Sequence, residues 1–274
     1  MKGFVKLGDS TVINDIRENL IQYFDYNLLV KGNSVAVTSG TLTYSPDPRF
    51  SGGRVWEYPY RNLVWESGGI SGVYVNGTYS SSTGVYPHYI DHTNGRAVFT
   101  SGISVSSTVR SNYSYKYVNV VKADGLAFFK QLSVDDTETS TESKLKPPIV
   151  GIELAGRRMR PYQLGGGQII TTDFLIHCIS DDPYIRDTLA DVVCYQNDAS
   201  FFMSDLNSIA DADAFPLDYR GVPNSGALVY PLLSASYPGR LLHIQDTKLD
   251  SSYSLGRLHV GTVRITTEVV HFGV

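Results

Sequence analysis

Apolar residues recur along residues 11–29 at Ile13, Ile16, Leu20, Phe24 and Leu28, spacings of three, four, four and four that put them on one side of an α-helix. Ser10 or Thr11 stands where it caps the first turn, and Gly32 stands where a left-handed residue ends such a helix. The spacing predicts an amphipathic helix that covers a sheet. From residue 34 to 121 the pattern shortens to alternating runs separated by Gly, Pro, Asn and Ser. Val35-Ala36-Val37 and residues 41–44, 72–79 and 96–100 read as strands; Ser45-Pro46-Asp47-Pro48 breaks the chain, and Asn94-Gly95 is a hairpin signal. Residues 107–121 are the clearest strand, with Tyr113, Tyr115 and Tyr117 on one face and Arg110, Asn112, Ser114 and Lys116 on the other.

Residues 135–146 (DDTETSTESKLK) carry charge, Ser and Thr with almost no apolar side chains, and Pro147-Pro148 follows. That stretch reads as a solvated loop or boundary. Beyond it, residues 149–154 read as a strand, 157–167 as a turn and 168–179 as a long strand. Asp181-Asp182-Pro183 is a strong helix start, because a carboxylate accepts from the open amides and proline fits the first helical position. Ile185, Leu189, Val192 and Val193 form its apolar stripe; Phe202, Leu206 and Ile209 suggest a second helix over 200–209. The chain closes with alternation over 256–272. Leu175, Ile185, Leu189, Val193, Val263 and Ile265 are the expected core. The fold class expected is α+β, a mixed sheet with covering helices plus a Tyr/Gly/Ser-rich β module inserted before its main part. The expected organisation is 1–44 (N-terminal helix and first core strands), 45–134 (inserted β module), 135–148 (boundary) and 149–274 (α/β core).

Length and composition narrow the function classes. A chain of 274 residues with 42% hydrophobic and 18% charged side chains buries a sizeable core. Its formal net charge of −4 argues against an avid, sequence-reading nucleic-acid binder, which needs a basic footprint. Two cysteines, Cys178 and Cys194, exclude a disulfide framework but leave a single bridge open. No apolar run approaches the roughly 20 residues that span a bilayer, and the Met-Lys-Gly start lacks the apolar core of a signal peptide. The expectation is a protein made in a cytoplasm, without membrane association. On that expectation the sequons at Asn76 and Asn112 carry no sugar.

The search for catalytic patterns is mostly negative. His88 and His92 flank Asp91 at a spacing that suits a metal only on a helix, and Pro87 and Asn94-Gly95 place them in a loop instead. His177 alternates with Leu175 and Ile179 in the long strand and reads as a satisfied sheet histidine. Gly165-Gly166-Gly167 lacks the Lys-Ser/Thr pair and following helix of a phosphate loop. No GxSxG or HExxH occurs, and Asp135-Asp136 and Asp181-Asp182 are explained by a loop and a helix start. The chain is expected to be no enzyme and to need no cofactor or metal. One charge pattern stands out: from Asp181 to Asp218 there are nine aspartates and no lysine, with Arg186 and Arg220 as the only strong cations nearby. Such a run is either a solvated face or a surface that lets a polyanion pass without gripping it.

The run from Ile149 (IVGIELAGRRMRPYQLGGGQIITTDFLIHCISDDPYIRDTLADVV) resembles the tail-terminator or tail-completion proteins of tailed bacteriophages, in which a strand, a turn, a long strand and a helix follow in order. Arg186, Asp187, Leu189, Ala190 and Asp191 match the helix face of that family. The opening IRENLIQYFDYNLLVKGN and the middle GVYVNGTY and NGRAVFTSGISVSSTVRSNYSYKYVNV also resemble phage neck proteins. The resemblance implies a virion structural protein of the head-to-tail junction, assembled in the host cytoplasm as a homo-oligomeric ring, usually a hexamer. Such a ring closes the tail tube, joins it to the head-side connector, contacts tail tube or sheath proteins and passes double-stranded DNA without sequence-specific binding. Asp187, Asp191 and Asp205 are then candidate lumen or rim residues. Two alternatives are a phage fibre, decoration or baseplate protein that binds through the Tyr-rich module, and a carbohydrate-active enzyme with Trp56, Trp65 and Tyr89 lining a cleft.

Overall fold

The computed structural model describes residues 8–28, 35–66, 70–132, 145–162 and 167–271. The fold is α+β, with about 20% helix and 45% strand. The chain divides into two compact units, one made of Met1–Gly32, Val118–Ala212 and Tyr230–Val274, the other of Asn33–Tyr117 and Asp213–Val229.

The first described element, α1 (Gly8–Tyr26), belongs to the first unit and buries Val12, Ile16, Leu20 and Phe24, with Leu28 buried just past its end; Ile13, expected in the stripe, is only half-buried because Val12 takes the inward place. It begins before Ser10 and Thr11, so neither residue precedes the helix as a cap. Gly32 lies outside the described residues.

The second unit is an antiparallel sheet of seven strands: β1 (Val35–Tyr44), β2 (Val55–Glu57), β3 (Val73–Val75), β4 (Thr78–Ser80), β5 (His88–Asp91), β6 (Arg96–Phe99) and β7 (Val109–Lys116). Their spatial order is β4-β3-β7-β1-β2-β6-β5. The two runs read separately at 35–37 and 41–44 are one strand, because β1 pairs continuously with β7 from Val35↔Lys116 to Leu42↔Val109. That pairing places 35–44 with the β-rich unit rather than with the first core strands. The run 72–79 is a tight hairpin instead of one strand: Asn76 and Gly77 take φ of 50° and 84°, the left-handed pair that matches the twist of two joined strands. Leu42, Trp56, Leu63, Val73, Phe99, Val109 and Tyr113 make its core.

The first unit resumes with β8 (Asn119–Lys122) and the short α2 (Gly125–Lys130). The strand expected over 107–121 is therefore two strands, one in each sheet, separated at Tyr117-Val118. The boundary loop read at 135–148 lies largely outside the described residues. Next come β9 (Ile149–Pro161), β10 (Gln168–Ser180), α3 (Pro183–Cys194), β11 (Ser200–Ser204), α4 (Leu206–Asp211), α5 (Leu232–Ser236), β12 (Pro238–Leu255) and β13 (Leu258–His271). The sheet order is β11-β12-β13-β10-β9-β8; all pairs are antiparallel except β8–β9.

Two expectations change here. β9 runs on to Pro161 where a turn was expected from 157, because the arginines of that stretch sit in register with β10. The helix expected over 200–209 is the strand β11 followed by α4, and Phe202 is exposed beside Leu241 on β12. Three apolar residues at helical spacing did not reveal that Ser204-Asp205 interrupts them. Alternate residues of the long strands, Ile170, Phe174, Ile176, Cys178, Val263, Ile265 and Val269, pack against α1 and α3. Leu175 points to the opposite face and is only half-buried, whereas Leu189, Val193, Val263 and Ile265 are core as expected; Ile185 is partly buried at its margin.

Candidate functional site

The acidic segment starts where Asp182 caps α3: its carboxylate accepts from the Tyr184 amide at 2.8 Å, and Pro183 occupies the first turn without needing a donor partner. The helix then buries Leu189, Ala190 and Val193 against the sheet. Close approach to β13 depends on Gly261, whose missing Cβ would lie 2.9 Å from Arg186 Cδ and 3.8 Å from Ala190 Cβ. Burying that stripe turns the other side of α3 to solvent. Asp187 and Asp191, four residues apart, share this exposed side with Tyr184 and Tyr195, which are 78% and 86% exposed. Arg186 lies between the acidic face and the sheet, its Nε 2.7 Å from Asp187 Oδ1 and one terminal nitrogen donating to Ser252 Oγ at 2.6 Å.

Asp205 has a different place and task. It precedes α4 and accepts from the Asn207 amide at 3.0 Å and the Ser208 hydroxyl at 2.6 Å. Those bonds, led by the one from Ser208, hold its carboxyl below the usual carboxylate range. Asp218 likewise closes a turn, accepting from the Arg220 and Val222 amides at 2.8 and 3.0 Å. The run is also split between the units: residues up to Ala212 belong to the first, and Asp213 and Asp218 to the second. Asp187 and Asp191 are brought together on one helix face, while Asp205 is spent on a cap.

A constellation that the sequence reading did not find lies on the other face of the same sheet. His177 Nε2 is 2.9 Å from Glu153 Oε2, and its Nδ1 is 3.2 Å from Thr262 Oγ1. One neutral tautomer satisfies both, with Nε2–H donating to the carboxylate and Nδ1 accepting the hydroxyl. Hydroxyl, imidazole and carboxylate stand in the order of a nucleophile, base and orienting group. Here, however, Thr262 is 4% exposed, and the rings of Phe128 and Phe129 from α2 pack beside His177. The network seals α2 onto the sheet. Its members are 24 and 85 residues from His177, so no local pattern signals it.

The remaining candidates are structural where they are described. His88 opens β5 and His92 follows it, both buried rather than in an open loop; His88 Nδ1 bonds the Tyr86 carbonyl at 2.8 Å and His92 Nδ1 the Gly221 carbonyl at 3.2 Å. Burial pulls both imidazoles below their ordinary pKa. Among the described residues, no three His, Cys, Asp or Glu side chains are grouped to hold a metal. Cys178 and Cys194 are free thiols, and burial pushes the Cys178 thiol far up. Trp56 is buried, its indole donating to the Gly53 carbonyl at 3.1 Å, so it lines no cleft. Tyr113 is core, Tyr115 stacks on Tyr60 with centroids 3.8 Å apart, and Tyr117 is exposed beyond the end of the strand. Gly165 and Gly166 lie outside the described residues; the Gly167 carbonyl accepts from the Tyr162 amide across the β9–β10 connection.

No protein-family model matches this chain, and the search of curated proteins finds no match.

Proposed function

We propose that this chain is a non-enzymatic structural protein of the tailed-phage neck, which assembles with copies of itself into a ring that double-stranded DNA passes through. The observation that supports it best is the exposed side of α3. There Asp187 and Asp191 stand four residues apart in a stretch without lysine, on the helix that follows the β9–β10 pair in the order on which the terminator resemblance rests. A wall of this sign keeps DNA mobile, because phosphates that find no cation release no counterions on contact. The role of lumen or rim falls on Asp187 and Asp191; Asp205 is left to its cap.

Cryo-electron microscopy of the parent particle tests the placement: density for this chain in a ring between head and tail supports it, and density in a fibre or baseplate overturns it. Asp187→Lys with Asp191→Lys tests the charge. The altered particles are expected to retain or eject DNA abnormally, and an unchanged ejection rate rules out the lumen role.

A further inference from the structure

The outer face of the seven-stranded sheet carries a row of exposed tyrosine, arginine and threonine side chains. Val73, Val75 and Val109 point into the core, so the strand alternation turns Tyr74 and Arg110 outward. Pairing then sets Tyr79, Tyr74, Arg110 and Thr41 side by side on β4, β3, β7 and β1. All four are exposed, Tyr74 by 39% and Tyr79 by 46%. Three strand spacings make the row about 14 Å long. Asn112 and Ser39, paired with each other and likewise exposed, stand two residues further along β7 and β1 and widen the row.

The aromatic end of the row is held in place. The Tyr79 hydroxyl donates to the Ser71 carbonyl at 2.9 Å, and its ring lies against Gly72, where a Cβ would stand 3.1 Å from Tyr79 Cε2. The Tyr74 and Tyr79 rings, with centroids 5.3 Å apart and planes at 60°, form a tilted pair rather than a closed stack. Cross-strand packing accounts for such a pair, but not for the arginine beside it. Arg110 has no hydrogen bond or ion pair among the described residues, whereas Arg49, Arg54 and Arg96 of the same unit are held by Asp47, the Phe99 carbonyl and Glu57.

We propose that this row is a binding platform for an acidic oligosaccharide, with a sugar ring lying on Tyr74 and Tyr79 and its carboxylate held by Arg110. The C–H groups on one side of a sugar ring are polarised by the oxygens around them, and the electron-rich face of tyrosine attracts them. A guanidinium matches a carboxylate with two parallel hydrogen bonds. Thr41, Asn112 and Ser39 supply the neutral donors and acceptors that sugar hydroxyls need. The charge count separates this ligand from a nucleic acid, which requires a cation for each of several phosphates. The other cations in the strands of this sheet, Lys116 and Arg96, are taken by Glu66 and Glu57, both at 2.8 Å, which leaves Arg110 to meet one negative group.

Saturation-transfer NMR on the full-length chain tests this with trigalacturonic acid and with sialyllactose, two sources of a sugar carboxylate, and with the methyl ester of each as its uncharged counterpart. Transfer to the ring protons of at least one acid is expected, and its ester should bind about tenfold more weakly or worse, because a charge-assisted bond is lost. Arg110→Gln should bring acid and ester level, and Tyr74→Ala should weaken both; an unchanged midpoint of urea denaturation shows that the variants are folded. The comparison of acid with ester on the parent protein needs no variant and tests the arginine by itself. No transfer to either acid at millimolar sugar, equal binding of acid and ester, or binding that survives both substitutions overturns the proposal. A short oligothymidylate that displaces the sugars at lower concentration also overturns it and makes the face a nucleic-acid contact. The neck reading is untouched by these outcomes, since it stands on α3 in the other unit.

Discussion

Gly151 on β9 carries α2. A Cβ at this position would stand 2.6 Å from Phe128 Cζ, 2.9 Å from Phe128 Cε1 and 3.1 Å from Ala123 Cβ. Phe128 is 3% exposed and anchors a helix of only six residues, so Gly151→Ala forces one of two responses. Either the ring is squeezed within a filled core, at about 1–3 kcal/mol, or α2 lifts and returns the Phe128 side chain to water, at about 1.5–3 kcal/mol. The two routes are close in size, and the substitution is expected to destabilise by about 2 kcal/mol. Phe128→Leu removes the atoms that clash, so the double variant should be more stable than the sum of the single effects by about 1 kcal/mol or more. Urea denaturation of the four proteins measures this, provided the slopes with denaturant agree. Gly151→Ala within about 0.5 kcal/mol of the parent, or additivity within about 0.3 kcal/mol, would refute the claim that α2 is seated on this glycine.

Further outcomes are expected. Leu189→Ala should lower stability by about 2–5 kcal/mol, since the side chain is core; a change under about 0.5 kcal/mol by the same denaturation assay would put that face of α3 on the surface. Lysine at Asp187 or Asp191 should change folding by no more than about 0.5 kcal/mol each, whereas Asp205→Lys should destabilise by about 1 kcal/mol through loss of the α4 cap. Asp47 is held down to about 2, first by its bond from Arg49 and then by further contacts that include Arg96. Its contribution is therefore present above its ordinary value of 3.8 and lost as pH falls towards 2, so the Tm gap between the parent and Asp47→Asn should shrink across that interval. An aromatic disulfide reagent should find one slowly reacting thiol, Cys194, in the native protein and two in denaturant; two fast native thiols would contradict the burial of Cys178.

Elements whose pattern and punctuation agree were legible in the sequence. Helix α1 follows its stripe, α3 follows from Asp181-Asp182-Pro183, and β10 and β13 follow from alternation. β12 escaped notice because nearly all of it beyond Ile244 is exposed, and a strand with neither face in the core need not alternate. The continuation of β9 was hidden by Arg157, Arg158 and Arg160, which resemble loop residues although their backbone is paired. Asn76-Gly77 was a turn signal of the same kind as Asn94-Gly95, and the strand pattern around it masked the hairpin. Of the candidate site, Asp187 and Asp191 were legible through their spacing on a helix. The capping role of Asp205 was not, because the spacing of Phe202, Leu206 and Ile209 suggests one helix over 200–209, which puts Asp205 mid-helix instead of at the start of α4.

The order of the sheet sets when this protein is able to fold during synthesis. Among the described elements β13, which lies between β12 and β10 and pairs with β10 from Gln168 to Ser180, comes last, while α1, which packs on the same sheet, comes first. The β-rich unit also waits, because His92 takes its carbonyl partner from Gly221. Neither unit is complete when the ribosome has finished the β-rich strands, and α1 emerges with its apolar stripe long before the strands that cover it. A nascent chain of this topology holds open apolar surface until β13 has been made, so its yield should depend on chaperone supply and on the speed at which β12 and β13 are translated.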